Sequence, residues 1–193
     1  MSQTIVKSST NKKTVYNPKF LAVTPYSGND LGTTTYLLQE VIRDSTSISQ
    51  GEAETNNIEN EFSSSPIVTN VVPGSYNFAA NVGDMQAELL KALMGFKVDS
   101  VSGIAYAPAG YVEVFAKVEL VFQVGGTAAS PTYLAVVLPR VQLNASVTIE
   151  SLNSSVGTIA IAGIANEVEV EDGSNSYRTA MYVDPDYDVS PFE

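Results

Sequence analysis

The chain carries few of the side chains on which enzyme catalysis depends. Its 193 residues include no histidine and no cysteine, so histidine bases, thiolate nucleophiles and disulfides are all excluded. Catalysis would have to rest on carboxylates, Lys, Tyr or Ser. The 21 Asp and Glu residues fall on predicted strands, polar loops and tails, without the pattern of a paired-carboxylate glycosidase. We therefore predict that the protein is not an enzyme and uses no cofactor.

Two short motifs resemble ligand sites but lack essential parts. Asp184, Asp186 and Asp188 are spaced by two like the start of a calcium loop, yet the glycine and the distal glutamate of such a loop are missing. Gly125 and Gly126 are followed by neither a Lys-Ser/Thr pair nor a predicted helix, so they do not form a phosphate loop. We predict no metal site and interpret residues 184–193 as an acidic C-terminal tail.

Charge is distributed unevenly along this acidic chain. The formal net charge is -11, but four of the ten basic residues precede the first acid, and residues 1–19 therefore form a basic N-terminal arm. Eight of the 21 acids lie beyond residue 166. Two interpretations stay open: the acids provide solubility, or the opposite charges of the two ends attract successive copies. Binding to duplex DNA through a basic patch is disfavoured in both.

Length and hydropathy favour one globular domain over residues 1–193, with 44 % hydrophobic residues. No stretch approaches the ~20 apolar residues of a membrane span, and no secretion signal is evident. The expectation is a protein that folds in the cytoplasm and has no membrane span.

The hydrophobic period changes within residues 65–96, from alternation to a repeat of three to four residues. This change predicts one helix over about 82–95, with Asp84 as its N-cap and Gly95 as the residue that ends it. Its apolar face must pack on a sheet and comprises Met85, Leu89, Ala92, Leu93 and Phe96.

Alternating, β-branched segments predict strands over most of the remaining chain. The clearest is 111–124, whose length predicts a bend, a bulge or a role in a larger assembly. Pro139 is expected to end a strand. The predicted strands are 33–43, 96–107, 111–124, 133–138, 141–150, 157–165, 166–172 and 176–183. Between the first strand and the helix, the polar segment 44–65 is predicted to be either disordered or an extended hairpin ordered by a partner.

Four pieces of sequence, taken in order, resemble the major tail tube proteins of tailed bacteriophages, a ring-forming family related to the tube protein of type VI secretion. They are GEAETNNIENEFSSSPI (51–67), PGSYNF (73–78), VGDMQAELLKALMGF (82–96) and VLPRVQL (137–143). The resemblance spans residues 30–170 as an order of elements. It implies a mainly β protein: an antiparallel β-sandwich or partly closed barrel with one flanking helix, assembled as stacked hexameric rings around a lumen through which DNA passes.

The resemblance also implies roles for particular residues. The polar assembly loop 44–65 would reach the next subunit or ring, and its candidate contacts are Ile48, Glu52, Glu54, Ile58, Glu61 and Phe62. A lumen lined by carboxylates would repel phosphates and let DNA slide. The candidates for that lining are Glu113, Glu119, Glu167, Glu169 and Glu171, and the competing interpretation is that these acids simply face solvent. The implied partners are further copies and other tail proteins, and the implied location is the virion tail, after assembly in the bacterial cytoplasm.

Two other functions remain open at this stage. One is a β-sandwich module for ligand binding or adhesion, which would present tyrosines as stacking platforms: Tyr106, Tyr111, Tyr133, Tyr177 and Tyr182. The other is a different tail component of similar fold, such as a tail terminator or a sheath-like connector.

Overall fold

The structure, a computed structural model, describes residues 18–38, 41–42, 44–60, 63–83, 87–127, 130–148, 158–172 and 175–192. Most of the basic arm therefore lies outside the described residues, as do Glu61, Phe62, Asp84 and Met85. The described elements are β1 (Pro18–Ser27), β2 (Asp30–Leu31), β3 (Tyr36–Leu38), β4 (Ser47–Gln50), β5 (Glu54–Asn60), β6 (Ser63–Val72), β7 (Tyr76–Val82), α1 (Ala87–Met94), β8 (Lys97–Val98), β9 (Ala105–Tyr106), β10 (Val114–Thr127), β11 (Ser130–Thr148), β12 (Thr158–Ala165), β13 (Val168–Asp172), β14 (Asn175–Thr179), β15 (Tyr182–Asp184) and a short 3-10 helix (Ser190–Phe192).

Nine of these strands form one sheet in the order β2-β1-β10-β11-β12-β7-β4, with β3 paired to β1 and β15 to β11. Three further pairs, β5-β6, β8-β9 and β13-β14, stand as separate two-stranded sheets. Every described strand pair is antiparallel. The prediction of a mainly β, antiparallel protein with one helix is therefore confirmed for the described chain.

The large sheet curls toward closure but is not closed into a barrel. At one end, Leu38 of β3 pairs with Leu21 of β1. Only three residues further along the chain, Val41 forms an isolated bridge with Val82 of β7, near the other end of the sheet. The backbone N–H of Ile42 then donates to the carbonyl of Asn81 at 2.8 Å. Leu38 and Val41, which are close in sequence, therefore pair with strands near opposite ends of the sheet.

The helix packs against the inner face of this sheet and seals the main core. Leu89 and Leu93 are 4 % and 1 % exposed, and they join a cluster with Phe78 and Ile161. Ala92 and Leu90 are also buried, and Phe96 is half-buried against the same cluster. The described helix is shorter than the predicted 82–95. Leu89, Ala92 and Leu93 of the predicted face are buried, and Leu90 is buried as well although it was not predicted.

Gly95 ends the helix as predicted. Its φ of 69° lies in the left-handed region that favours glycine, and its N–H donates to the carbonyl of Lys91 at 3.1 Å. A Cβ at this position would also meet Cγ1 of Val112 at 2.6 Å. Both the backbone conformation and the neighbouring side chain therefore require glycine.

Pro139 does not end a strand, contrary to the prediction. β11 runs through it for 19 residues, because the ladder with β10 shifts register here, where Ala116 pairs with Val141 but Val118 pairs with Leu138. This bulge tolerates the missing N–H of proline. It also inverts the alternation, so that odd-numbered residues face outward before it and the core after it.

The predicted strand 96–107 is replaced by the tight hairpin β8-β9. The carboxylate of Asp99 accepts hydrogen bonds from the N–H groups of Val101 and Ser102 at 2.8 and 3.1 Å, and Gly103 has a φ of 69°. An Asp-initiated turn therefore interrupts the alternating pattern. In the predicted strand 33–43, the described strand is only β3.

Candidate assembly surfaces

An arm formed by β5 and β6 extends from the edge of the large sheet, where β4 leads into β5 and β6 leads into β7. Its register is unbroken along most of its length: Gln50 pairs with Tyr76, Glu54 with Val72 and Ile58 with Val68, all with the same offset. β4 and β7 belong to the large sheet, whereas β5 and β6 pair only with each other among the described residues. The arm is thus a continuation of the sheet edge beyond the body of the protein.

Two glycines face each other where the arm leaves the body. The N–H of Gly51 donates to the carbonyl of Ser75 at 2.9 Å. A Cβ at Gly74 would overlap the carbonyl oxygen of Gly51 and lie 2.7 Å from the carbonyl oxygen of Glu52. The two backbones can approach this closely only because position 74 has no side chain.

The predicted contact residues of segment 44–65 differ in how exposed they are. Glu52 and Glu54 are exposed at the base of the arm. Ile48 is half-buried and packs against the core of its own subunit, so only part of its side chain is open to a subunit contact. The backbone of Ile58 lies in β5, but its side chain, like Glu61 and Phe62, is outside what the structure describes. Segment 44–65 was predicted to be either disordered or an extended hairpin, and the structure shows the hairpin pairing of β5 with β6. The first strand of the segment, β4, belongs to the large sheet.

The β13-β14 hairpin brings together three of the predicted lumen acids, Glu167, Glu169 and Glu171, all of them exposed. Glu169 pairs across the ladder with Arg178. The guanidinium Nε of Arg178 lies 2.9 Å from Oε2 of Glu167, and Glu169 accepts a hydrogen bond from the hydroxyl of Ser176. The face is therefore acidic overall, although one of its carboxylates is paired with a cation.

The other two predicted lumen acids lie on and just before β10 and differ sharply in exposure. Glu113 is exposed, and its Oε1 accepts a hydrogen bond from the side-chain amide of Gln142 at 2.8 Å. Glu119 is 4 % exposed and lies 2.7 Å from Nζ of Lys117. The prediction that Glu119 lines a lumen is wrong, because the carboxylate is buried within its own subunit.

The C-terminal segment is what buries Glu119. The hydroxyl of Tyr187 donates to Oε1 of Glu119 at 3.0 Å, and the N–H of Tyr187 donates to the carbonyl of Tyr133 at 3.3 Å. Val189 is 8 % exposed in a second core cluster with Val121 on the outer face of the sheet. Phe192 stacks edge-on against Phe20 at 5.6 Å. Residues 184–192, the described part of the predicted acidic tail, thus form a strap that is docked on the sheet.

Two carboxylates of the strap accept hydrogen bonds from residues two positions further along the strap. Oδ1 of Asp184 accepts from the N–H of Asp186, and Asp188 accepts from both the N–H and the hydroxyl of Ser190. These hydrogen bonds lower the pKa of Asp188 below its ordinary value. Burial, followed by the nearby charge of Glu119, raises the pKa of Tyr187 well above 10. The tyrosine is therefore held as a neutral hydrogen-bond donor.

The sequence pattern alone did not reveal the strap, although it contained a signal. Four aromatic or apolar residues alternate with the acids of this segment, and all four pack in or against the outer cluster: Tyr182, Tyr187, Val189 and Phe192. The prediction of a tail rested on the acids alone and did not use this apolar pattern.

The proposed tyrosine platforms are only partly available. Tyr106, Tyr111 and Tyr177 are 54 %, 70 % and 54 % exposed, whereas Tyr133 is 5 % exposed in the outer cluster and accepts a hydrogen bond from Lys19 at 2.7 Å. Tyr182 is half-buried in β15. Tyr133 is therefore not a platform, and Tyr182 is largely covered.

Within the described ranges, no helix is long and apolar enough to cross a membrane. In the same residues, no group of three or more Asp or Glu side chains is placed to hold a metal ion. No protein-family model matches the sequence, and a search of curated proteins finds no significant match.

Proposed function

We propose that this protein is a structural subunit of a phage tail tube, which associates with its own copies into stacked rings around a DNA-conducting lumen. The observation that carries the proposal is the arm, β5-β6. It continues the register of the sheet edge and pairs with no other strand in the described chain. The tail-tube-like form of the fold is part of this proposal and rests on the sequence resemblance.

The arm needs a partner on physical grounds. The seven residues of β5 span about 23 Å at roughly 3.3 Å per residue. A two-stranded hairpin without further packing is marginally stable in water, and its unpaired edges attract other strands. At its base, Val71 and Val72 are 56 % and 44 % exposed. A neighbouring copy would satisfy both the open edges and the apolar surface.

The body also offers open strand margins for lateral contact. β4 pairs only with β7, and β15 only with β11, among the described residues. Two different open margins suit a heterologous contact, in which one surface of each copy meets a different surface of the next, and such a contact generates a ring when its rotation closes. This supports ring formation over an isolated dimer.

The acidic hairpin β13-β14 is our candidate for the lumen wall. Glu167, Glu169 and Glu171 lie on one exposed face, and a surplus of negative charge on such a wall would keep phosphates from binding. Glu113 remains a second candidate, while Glu119 is excluded by burial. An electron-microscopy map of assembled tubes in which β13-β14 faces outward would remove this assignment.

The test of the function is self-assembly. Purified protein is examined over a concentration series by sedimentation velocity and negative-stain microscopy, and we expect rings or tubules with a central hole to form as concentration rises. A chain that stays monomeric at every concentration would contradict the proposal and favour the binding-module alternative, whose remaining platforms are Tyr106, Tyr111 and Tyr177.

A further inference from the structure

Arg140 places its guanidinium close to two aromatic rings on the outer face of the sheet. Its Cζ lies 4.5 Å from the ring centre of Phe115 and 5.2 Å from that of Tyr26. The Tyr26 ring is fixed in turn, because its hydroxyl donates to the carbonyl of Pro139 at 3.0 Å. The bulge at Pro139 sets the orientation of the next residue. Both rings lie within the ~6 Å at which a cation is attracted to an aromatic face.

This half-buried cation lacks a counter-ion in the described part of the chain. The described salt bridges join Lys91 to Glu88, Lys117 to Glu119 and Arg178 to Glu167, and none includes Arg140. Its side chain likewise makes no hydrogen bond to a described residue. A partly buried charge without a partner is unfavourable, and two stacked rings offset only part of that cost.

Arg140 lines an open cleft of about 360 Å³, together with Tyr26, Asn29, Glu113 and Phe115. Among the described lining residues, Glu113 is the one carboxylate, and its Oε1 accepts a hydrogen bond from the side-chain amide of Gln142 at 2.8 Å. The helix contributes only Ala92 to the lining. The cleft therefore presents a guanidinium that lies over two aromatic rings and forms no ion pair with a described acid.

A guanidinium suits a planar oxyanion, which it can bind through two parallel N–H bonds. In a chain with 21 acids and ten bases, the anion presented at highest density by a second copy is a carboxylate. Glu113 on the wall disfavours free small anions. A carboxylate carried by an adjacent subunit meets the site at a high effective concentration and overcomes that repulsion.

We propose that Arg140 is an inter-subunit anchor, which accepts an Asp or Glu side chain from a neighbouring copy. This inference rests on the proposed self-assembly and adds to it one defined contact and its chemistry.

The first test compares Arg140→Gln and Arg140→Lys with the control Lys97→Gln, which removes an exposed cation on β8. Assembly is followed by light scattering at low and high salt, and the monomer fold by thermal denaturation. We expect Arg140→Gln to raise the concentration needed for assembly by at least about tenfold and to flatten its salt dependence, since a desolvated charge pair is lost. Arg140→Lys should fall between it and wild type, because an ammonium lacks the bidentate fork.

The second test identifies the acid. Arg140→Lys protein is prepared with light and heavy nitrogen, mixed, assembled and treated with a carbodiimide, which joins an amine to a contacting carboxylate. Peptides that link position 140 of one isotope to an Asp or Glu of the other would support the anchor. Links confined to one isotope would overturn it, as would Arg140→Gln assembling at the wild-type concentration. If wild type itself never assembles, both the anchor and the proposed function are wrong, whereas normal assembly of Arg140→Gln overturns the anchor alone.

Discussion

Glu119 and Tyr187, 68 residues apart in sequence, share a hydrogen bond of 3.0 Å on the outer face of the sheet. The carboxylate is 4 % exposed, and its Oε1 is also 2.7 Å from Nζ of Lys117. One buried acid thus connects the longest alternating segment of the chain to its C-terminal strap. The strap can dock only because this charge is satisfied from both sides.

Glu119→Gln should destabilise the fold by about 3 kcal/mol, because Lys117 would lose its counter-ion in a largely desolvated place. Urea denaturation followed by circular dichroism measures the change. The matched control is Glu113→Gln, an exposed acid of the same face, which should change the free energy of unfolding by less than about 0.5 kcal/mol. Equal effects of the two substitutions would contradict the buried pair.

Alkaline pH should loosen the strap. Burial raises the pKa of both Tyr187 and Tyr182 above the ordinary value of 10.0, so the folded state keeps protons that the unfolded state releases. The corresponding stability is fully present below pH 10 and is lost as pH rises above it. We expect the midpoint of urea denaturation to fall between pH 9 and 11.

Tyr187→Phe separates this effect from general alkaline denaturation. The variant should lose about 1 to 2 kcal/mol at neutral pH, since the buried carboxylate loses one donor. Its further loss between pH 9 and 11 should be smaller than that of wild type. An unchanged alkaline loss would show that Tyr187 does not carry the transition.

Leu89→Asp should cost several kcal/mol, roughly 3 to 5, because it places an unpaired carboxylate beneath the helix at a position that is 4 % exposed. The thermal midpoint and the near-ultraviolet dichroism of the tyrosines report the loss. Lys91→Ala, on the exposed side of the same helix, removes a cation whose one ion pair with a described residue is the exposed contact with Glu88, and it should be nearly neutral. Similar losses for both would argue against the packed face.

Removing the outer arm should separate folding from assembly. Gly51 and Ser75 are hydrogen-bonded neighbours, so residues 52–74 can be replaced by Asn-Gly, the pair preferred in two-residue hairpins. β4 then remains paired with β7. We expect a soluble monomer with a thermal midpoint within a few degrees of wild type and no rings or tubules.

The control for the arm variant keeps the same length of chain and replaces only Val71 and Val72 by Thr. It should assemble more weakly than wild type but still form rings, because the open strand edges remain. If the shortened protein still forms tubules, the arm is not the assembly element.

Local rules account for the helix and for the antiparallel strands. The period change before Leu89, the stop at Gly95 and the alternation of residues 114–122 depend on contacts within a few residues, so the sequence pattern alone predicts them. The same rules misjudged Pro139, since a proline inside a strand is tolerated only if the partner strand supplies a bulge. That information lies on β10.

The sequence by itself determined a mainly β protein with one helix, without histidine or thiol chemistry and with an excess of acids. Only the tertiary structure decided which acids are exposed: Glu119 and Glu113 share a predicted face, yet one is covered by Tyr187 and the other is open. It also brought Arg140 close to the rings of Phe115 and Tyr26, so that residues from three different strands meet. The physical reason is that burial and ion pairing depend on contacts distant in sequence, while the periodicity that predicts strands and helices records only neighbours.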